Sequence, residues 1–273
     1  MDRFDEFTYG ERIAEVYDRF YSEVDESAIT LLDELAAGGK VLELGIGTGR
    51  IALPLHERGV EVFGIDASAA MIAKLREKPG GSEIQVHEGN FVDLPVEGKF
   101  SLIFVAFNTL FGLLTQDEQV RCIQSVAAHL TDEGRFLVEA FVPDLSRYEG
   151  GQSVRAVHLS ADEVRLNVSQ VDPVAQQVSS QQVVLTGAGL RLYPVKLRYI
   201  WPSELDLMAR LAGLALRHRW GGWQKEEFTE ASNKHVSVYG RSASHLPRLP
   251  ITGSGGRWRC GGELDSRFQA DWS

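Results

Sequence analysis

The run VLELGIGTGR, Val41 to Arg50, sets an apolar stretch, one acid and three alternating glycines side by side. Val41, Leu42 and Leu44 suit a buried strand, and Gly45, Gly47 and Gly49 let the chain turn tightly against a ligand before a helix begins. The dinucleotide-binding signature carries its third glycine one place later, where this chain has Arg50. Glu43, two residues ahead of the first glycine, suits a ligand with a cationic end better than one with two phosphates. A second acid, Asp66, closes the next apolar run, VEVFGID, where a carboxylate can accept hydrogen bonds from ribose hydroxyls. The plain alternative is a structural turn that binds nothing.

These residues need a frame to hold them. Strands are expected at about 40–45, 61–65, 84–88, 101–106 and 134–141, separated by helices such as Ile51–Arg58. That alternation calls for a parallel sheet with crossovers. Ahead of it, Ile13, Val16, Tyr17, Phe20 and Tyr21 share one helical face, and a second helix covers about Ser27–Ala37. Thr115 and Glu118 form a capping box for a helix with core face Val120, Ile123, Ala127 and Leu130. TDEG at Thr131–Gly134 stops that helix. From Gln152 to Trp201 β-formers alternate with polar residues in four segments, read as antiparallel strands inserted after the fifth core strand. This insert carries five basic residues (Arg155, Arg165, Arg191, Lys196, Arg198) against three acidic ones (Asp162, Glu163, Asp172), a local charge of +2. A helix at Pro202–Ala212 follows, with Ser203 as N-cap and Gly213 as its stop, then strands Leu214–Trp220 and His235–Gly240. The chain thus divides into 1–151 (N-terminal helices and binding core), 152–201 (insert), 202–241 (the rest of the core) and 242–273, a Gly-, Ser- and Pro-rich stretch read as a poorly ordered tail.

Val41–Asp66 resembles the cofactor-binding half of the class I S-adenosylmethionine-dependent methyltransferases, and the similarity runs through roughly 9–241. The resemblance implies a Rossmann-like α/β fold of seven strands, mostly parallel with the last antiparallel, plus the β insertion after strand five. It also implies S-adenosylmethionine as cofactor and S-adenosylhomocysteine as product. Gly45, Gly47 and Gly49 would lie under the methionine moiety, Glu43 near its amino group, and Asp66 on the ribose. In GNFVD, Asn90 would meet the adenine amino group and the Phe91 backbone the ring; most relatives have Asp where this chain has Asn90. Tyr17, Arg50, Ala67, Met71 and Phe107 complete the implied cofactor set. YDRFY, Tyr17–Tyr21, is similar to the N-terminal helix of actinobacterial methyltransferases, including amino-sugar N,N-dimethyltransferases, in which that helix closes over the cofactor. Tyr21 thereby takes a substrate-side role; the same aromatic stripe is also what an ordinary core face shows.

Methyl transfer from a sulfonium is an in-line displacement, so alignment and exclusion of water come first, and a base is needed only for a protonated nucleophile. Candidate bases are Tyr21, Glu139, His158 and His235. Side-chain alternation leaves open which sheet face Glu139 occupies. His158 lies in the insert, which would act as a lid, a dimer element or both. His235 opens the last strand, beside Phe141, and reads either as a titratable group at the substrate mouth or as a histidine at a sheet edge. Phe107, Phe111, Phe141, Tyr193 and Trp223 are candidates for an apolar, aromatic acceptor pocket.

Composition narrows the acceptor. A formal charge of −10 over 273 residues argues against a nucleic-acid surface. No Asn/Asp-Pro-Pro-Tyr run follows the fourth strand, where FNTLF stands instead, which disfavours amino-methylation of DNA bases. Cys122 follows Arg121 within a helix, so cytosine-C5 thiolate chemistry is excluded, and no His/Cys/Asp cluster implies a metal. Cys122 and Cys260 give no disulfide framework, and no stretch is apolar enough to span a membrane, so a cytoplasmic location is expected. The first expectation is a small-molecule methyltransferase of bacterial specialised metabolism. FNTLFGLLTQDEQVRC, VEAFVPD and RYIWPSELDLMARLAGL resemble an actinobacterial subgroup that includes indole C3-methyltransferases of tryptophan-derived diketopiperazines. N- or O-methylation of an amino sugar or another metabolite is the alternative. Two further readings are a protein or nucleic-acid methyltransferase that docks through the insert, and a non-catalytic cofactor-binding regulator or scaffold.

Overall fold

The computed structural model describes residues 6–242, with side chains from Tyr9 onward. The expected tail lies, apart from Ser242, outside the described residues. Helices α1 (Glu6–Phe20) and α2 (Glu26–Ala36) lead into β1 (Val41–Leu44), α3 (Ala52–Glu57), β2 (Val62–Asp66), α4 (Ala69–Arg76), β3 (Gln85–Glu88) and β4 (Phe100–Val105). A 3-10 turn at Thr109–Gly112 precedes α5 (Gln116–His129) and β5 (Leu130–Phe141). The insert comprises β6 (Gln152–Leu159), β7 (Glu163–Asp172), β8 (Gln177–Thr186) and β9 (Gly189–Arg198), after which come α6 (Pro202–Leu211), β10 (Leu214–Trp220) and β11 (Lys234–Arg241).

One seven-stranded sheet has the order β10-β11-β5-β4-β1-β2-β3; β11 runs antiparallel between β5 and β10, and the remaining pairings are parallel. Because β1 is buried along its length, its alternating side chains feed two cores. Leu42 and Leu44 join the α5 and α6 side with Ile103, Phe136 and Tyr239, whereas Val41 joins the α2 and α3 side with Phe104 and Leu137. The capping box forms, with Thr115 Oγ1 accepting from Glu118 N and Glu118 accepting from Thr115 N. Thr131–Gly134 bulges within the β4–β5 ladder, whose register jumps from Phe100↔Leu130 to Leu102↔Arg135. Ser203 is not the cap of α6. The helix starts at Pro202 as expected, but Pro202 is its first position and extended Trp201 its N-cap, because proline needs no partner for a missing N–H. Gly213 stops α6, taking φ +76° and donating its N–H to Arg210 O.

The insert is a separate antiparallel sheet, β6-β7-β8-β9. One buried guanidinium fixes its base to the core. Arg198 donates to Gln119 Oε1 on α5 (2.5 Å), to Gln176 Oε1 (3.1 Å) and to Glu204 Oε1 on α6 (2.9 Å). Gln119 returns its amide to the carbonyls of Leu113 and Arg198, and Gln116 and Gln176 also donate to Glu204. Burial would raise the Glu204 carboxyl, but the bonds from Gln176, Arg198 and Gln116 outweigh it and hold the group below its ordinary range. Arg198→Met removes the charged donor shared by Glu204, Gln119 and Gln176 and is expected to cost about 1.5–3 kcal/mol in urea unfolding. The wild-type contribution of Glu204 is present at neutral pH and is lost as pH falls through its depressed value. Acid and neutral unfolding curves that differ equally in wild type and in Glu204→Gln would remove that assignment.

Candidate active site

A cavity of about 430 Å³ lies at the carboxyl ends of β1, β2 and β4, between α1 and β9, and within the ~300–1,000 Å³ of small-molecule sites. The glycine loop forms its floor, but the three glycines do different jobs. All take positive φ (74°, 56° and 78°). A Cβ on Gly45 would stand 2.3 Å from Thr109 Cγ2, and one on Gly49 2.3 Å from Leu75 Cδ1. Gly47 would meet only the flexible end of Met71, at 3.2 Å. Gly45 and Gly47 line the cavity; Gly49 does not, because it packs beneath Leu53 and Leu75 to seat α3.

Asp66 fixes this loop to β2. Its Oδ2 accepts from Gly47 N (2.7 Å) and its Oδ1 from Ser68 N (2.9 Å). Burial raises its carboxyl despite these backbone bonds. Glu43 is 5% exposed, and its buried Oε2 has no hydrogen-bond partner. Burial pushes its carboxyl well above the usual range; Arg50 offsets part of this and Asp66 adds to it. A buried carboxylate oxygen without a donor, on the wall of a cavity, is an acceptor waiting for a cationic ligand. Arg50 itself is held away from Glu43 by donating to Glu23 O (3.2 Å) and lying 4.4 Å over the Phe107 ring.

The roof is α1. Gly10 lets it sit close on α4, where a Cβ would meet Ser68 at 2.5 Å. Glu11 accepts from Ser68 Oγ and Ala70 N, adding a second cap to α4. Asp18 accepts from Thr48 Oγ1 (2.6 Å) and pairs with Lys78 (2.7 Å), and Arg19 pairs with Glu163 of the insert (3.1 Å). The Tyr17 and Tyr21 rings lie 4.9 Å apart, tilted by 51°, and Tyr21 meets Phe107 edge-on at 5.1 Å. Burial pushes the Tyr17 phenol up to about 12 and Tyr9 higher, so both are neutral donors near neutral pH.

The turn after β4 is strained: Phe107 (φ 56°) and Asn108 (φ 65°) are both left-handed. Glu139 Oε2 accepts from Phe107 N (2.5 Å), and Asn108 Oδ1 accepts from Phe141 N (2.7 Å). Glu139 alternates with Val138 and Ala140, which puts it on the α2 and α3 side of the sheet. Its carboxyl, raised by burial, is occupied in bracing this turn and does not line the cavity.

Of the residues expected from sequence, Tyr17, Tyr21, Glu43, Gly45, Gly47, Arg50, Asp66, Ala67, Met71, Asn90, Phe91 and Phe107 line this cavity. His158 sits on β6, an edge strand, opposite Arg165 and outside the cavity lining. His235 is a correction. It is 1% exposed, bonds Ser237 Oγ through Nδ1 (2.9 Å) and faces Phe228, within the buried α6 side where Arg219 joins Asp206 and Tyr239. Burial, and after it the Arg219 charge, lower its imidazole to about 4. The aromatic set also splits. Phe107 alone lines the cavity; Phe111 is core, Trp223 belongs to the α2 and α3 side, Tyr193 packs on Phe20, and Phe141 borders a second cavity. Sequence reasoning missed Tyr9, Asn167 and Lys196. Tyr9 lies two turns before Tyr17 on the same helix, a usable signal; the other two arrive only because β9 and β7 cross the cavity mouth. Among the described residues no cluster of His, Cys, Asp and Glu is arranged to hold a metal, and no helix is long and apolar enough to cross a membrane.

The sequence profile of a methyltransferase-domain family matches residues 41–134. The CcbJ methyltransferase from Streptomyces caelestis is 42% identical, with a TM-score of 0.82 over 88% of this chain and 100% of that one. The chain is a class I S-adenosylmethionine-dependent methyltransferase. It is also 28% identical to the cypemycin N-terminal methyltransferase of a Streptomyces species, over 75% of this chain and 84% of that one. DesVI of Streptomyces venezuelae shares its fold (TM-score 0.65, 20% identity, 84% and 98% covered). This methyltransferase resembles the actinobacterial enzymes of secondary metabolism. The unpartnered Glu43 oxygen fits the ammonium of S-adenosylmethionine, and the Gly45–Gly47 backbone lines the same cavity. Asp66→Ala removes the bond to Gly47 of the glycine loop and the bond to Ser68 ahead of α4, and is expected to weaken cofactor binding at least tenfold by calorimetry, about 1.4 kcal/mol or more. Because the Glu43 carboxyl is raised, affinity should increase as pH rises through that value, and Glu43→Gln should flatten the profile. A wild-type profile already flat would detach Glu43 from the ammonium.

Proposed function

We propose that this methyltransferase acts in the cytoplasm on a small organic molecule of bacterial secondary metabolism, at a nucleophile that needs no strong base. One observation carries this reading. Among the described residues lining the cavity, the carboxylates are Glu43 and Asp66, both at the glycine-loop end, and there is no imidazole. The other end is walled by Tyr9, Tyr21, Phe107, Leu113, Leu114 and Leu197, with Asn167 and Lys196 at its mouth. Bound S-adenosylmethionine supplies a methyl group on a sulfonium. The chain's own work is then to align the acceptor between Tyr21 and Phe107 and to keep water out under α1.

We favour an electron-rich ring carbon, C3 of the indole in a tryptophan-derived diketopiperazine. The edge-on Tyr21–Phe107 pair supports it, since a flat ring packs edge or face against such a pair. An amine nitrogen, as in an amino sugar, is the second reading. It is supported by the cypemycin relative, named for an N-terminal methylation, and by aromatic faces that suit a cationic product. Exposed Val154, Leu159, Leu190 and Leu192 on the insert support pairing with a second copy, for which light scattering should return the mass of two chains.

Incubation with labelled cofactor and either tryptophan diketopiperazines or amino sugars, followed by NMR of the product, separates the two acceptors. Label on neither class removes both. Tyr21→Phe should retain kcat within about tenfold, with an unchanged pH profile, because a phenol that only orients the acceptor loses little with its hydroxyl. A loss of ~100-fold or more, the range of general-base catalysis, would assign proton transfer to Tyr21.

A further inference from the structure

A second cavity of about 220 Å³ lies between the insert and the segment 141–148. It shares Asn167, Val195 and Leu197 with the first cavity, so these three form a common wall. Its chemistry differs from that of the first. Asn167 Oδ1 accepts from Ser169 Oγ (2.9 Å), and Ser169 bonds Ser180 (2.8 Å), which directs the remaining donor capacity of Asn167 to its amide N–H groups. Arg147 and Arg155 line the far end with Asp144. Asp144 is engaged by Ser146, whose N and Oγ both donate to its Oδ1 (3.0 and 2.6 Å), and its carboxyl is lowered first by that hydroxyl, then by the Ser146 N–H and only after these by the two arginines. Among the described residues neither guanidinium has a carboxylate within ion-pair distance. The lining is therefore rich in donors, beside an acceptor end that is aromatic and apolar.

We propose that this second cavity is the distal half of the acceptor site, where Asn167 and Arg155 bind carbonyl or carboxylate oxygens of a molecule whose nucleophilic end lies against Tyr21 and Phe107. The inference rests on the small-molecule reading above and narrows it to acceptors in two parts: a flat or apolar head and an oxygen-bearing tail. Asn167 reaches the tail from the common wall, and the exposed Arg147 and Arg155 line the far end, where a guanidinium pairs with an amide carbonyl or, more strongly, with a carboxylate.

The test uses the full chain saturated with S-adenosylhomocysteine and calorimetry. The probes are indole, a tryptophan cyclic dipeptide and the matching linear dipeptide acid, beside an amine with and without a carboxylate. The wild-type chain should bind at least one oxygen-bearing member ten times or more tightly than its bare head. Arg155→Ala and Asn167→Ala should each abolish most of that gain, and Arg155→Ala, which lies outside the first cavity, should leave both the bare head and S-adenosylhomocysteine unaffected, which controls for folding. A preference for the linear acid assigns the arginines to a carboxylate, and a preference for the cyclic dipeptide assigns the site to amide carbonyls. A gain that survives both substitutions, or no gain in the wild-type chain, overturns the subsite. Gains confined to the amine pair keep the subsite and overturn the indole reading; binding of no probe overturns both.

Discussion

The site depends on a turn that the chain would not adopt by itself. Phe107 and Asn108 both occupy the left-handed region, where side chains with a Cβ are disfavoured by about 1–3 kcal/mol each. Two bonds from outside the turn hold it: Glu139 takes the Phe107 N–H, and Asn108 takes the Phe141 N–H. With the turn fixed, the Phe107 ring stands between Arg50 and Tyr21. One ring thus keeps a cation from closing onto Glu43 and at the same time sets the aromatic wall of the acceptor end. The strain resides where the cofactor and acceptor halves meet, which is where strain is useful.

The cofactor half follows a division of labour that one-dimensional motifs conceal. Gly45 and Gly49 are required because Thr109 and Leu75 occupy the space of a Cβ, whereas Gly47 presents its backbone to the cavity and its N–H to Asp66. Asp66 accordingly does two things, tying the loop to β2 and offering its remaining lone pairs to the cavity. Glu43 is the opposite case, a carboxylate with an oxygen left unserved. Burial makes such a group costly unless a ligand supplies the missing donor.

The fold was legible because its signals are local. The glycine run, the Thr115–Glu118 capping box and the period-two pattern of the insert each depend on a few neighbouring residues, and they led to the seven-stranded sheet and the added antiparallel sheet. The acceptor side was less legible, for reasons that can be named. Glu139 follows the two-residue alternation of β5, but sequence alone does not say which parity faces which core. His235 falls at the expected end of β11, in register with Ala140, yet its side chain points to the α6 side and into the Arg219 network. Asn167 and Lys196 belong to strands far along the chain, and only the crossing of the insert over the cavity brings them in. Chain position was recoverable; side-chain direction was not.

Helix α1 is fastened on both sides of the cavity. Glu11 and Asp18 tie it to α4 and the glycine loop, and Arg19 with Phe20 ties it to Glu163 and Tyr193 of the insert. The insert in turn is anchored to α5 and α6 through Arg198. The cofactor half and the acceptor half therefore share one roof. A shift of α1 that favours one ligand is felt by the other, and any such coupling is reciprocal, the donor favouring the acceptor by the same factor as the acceptor favours the donor. A single helix of fifteen residues thereby spans two half-sites whose chemistries have nothing in common.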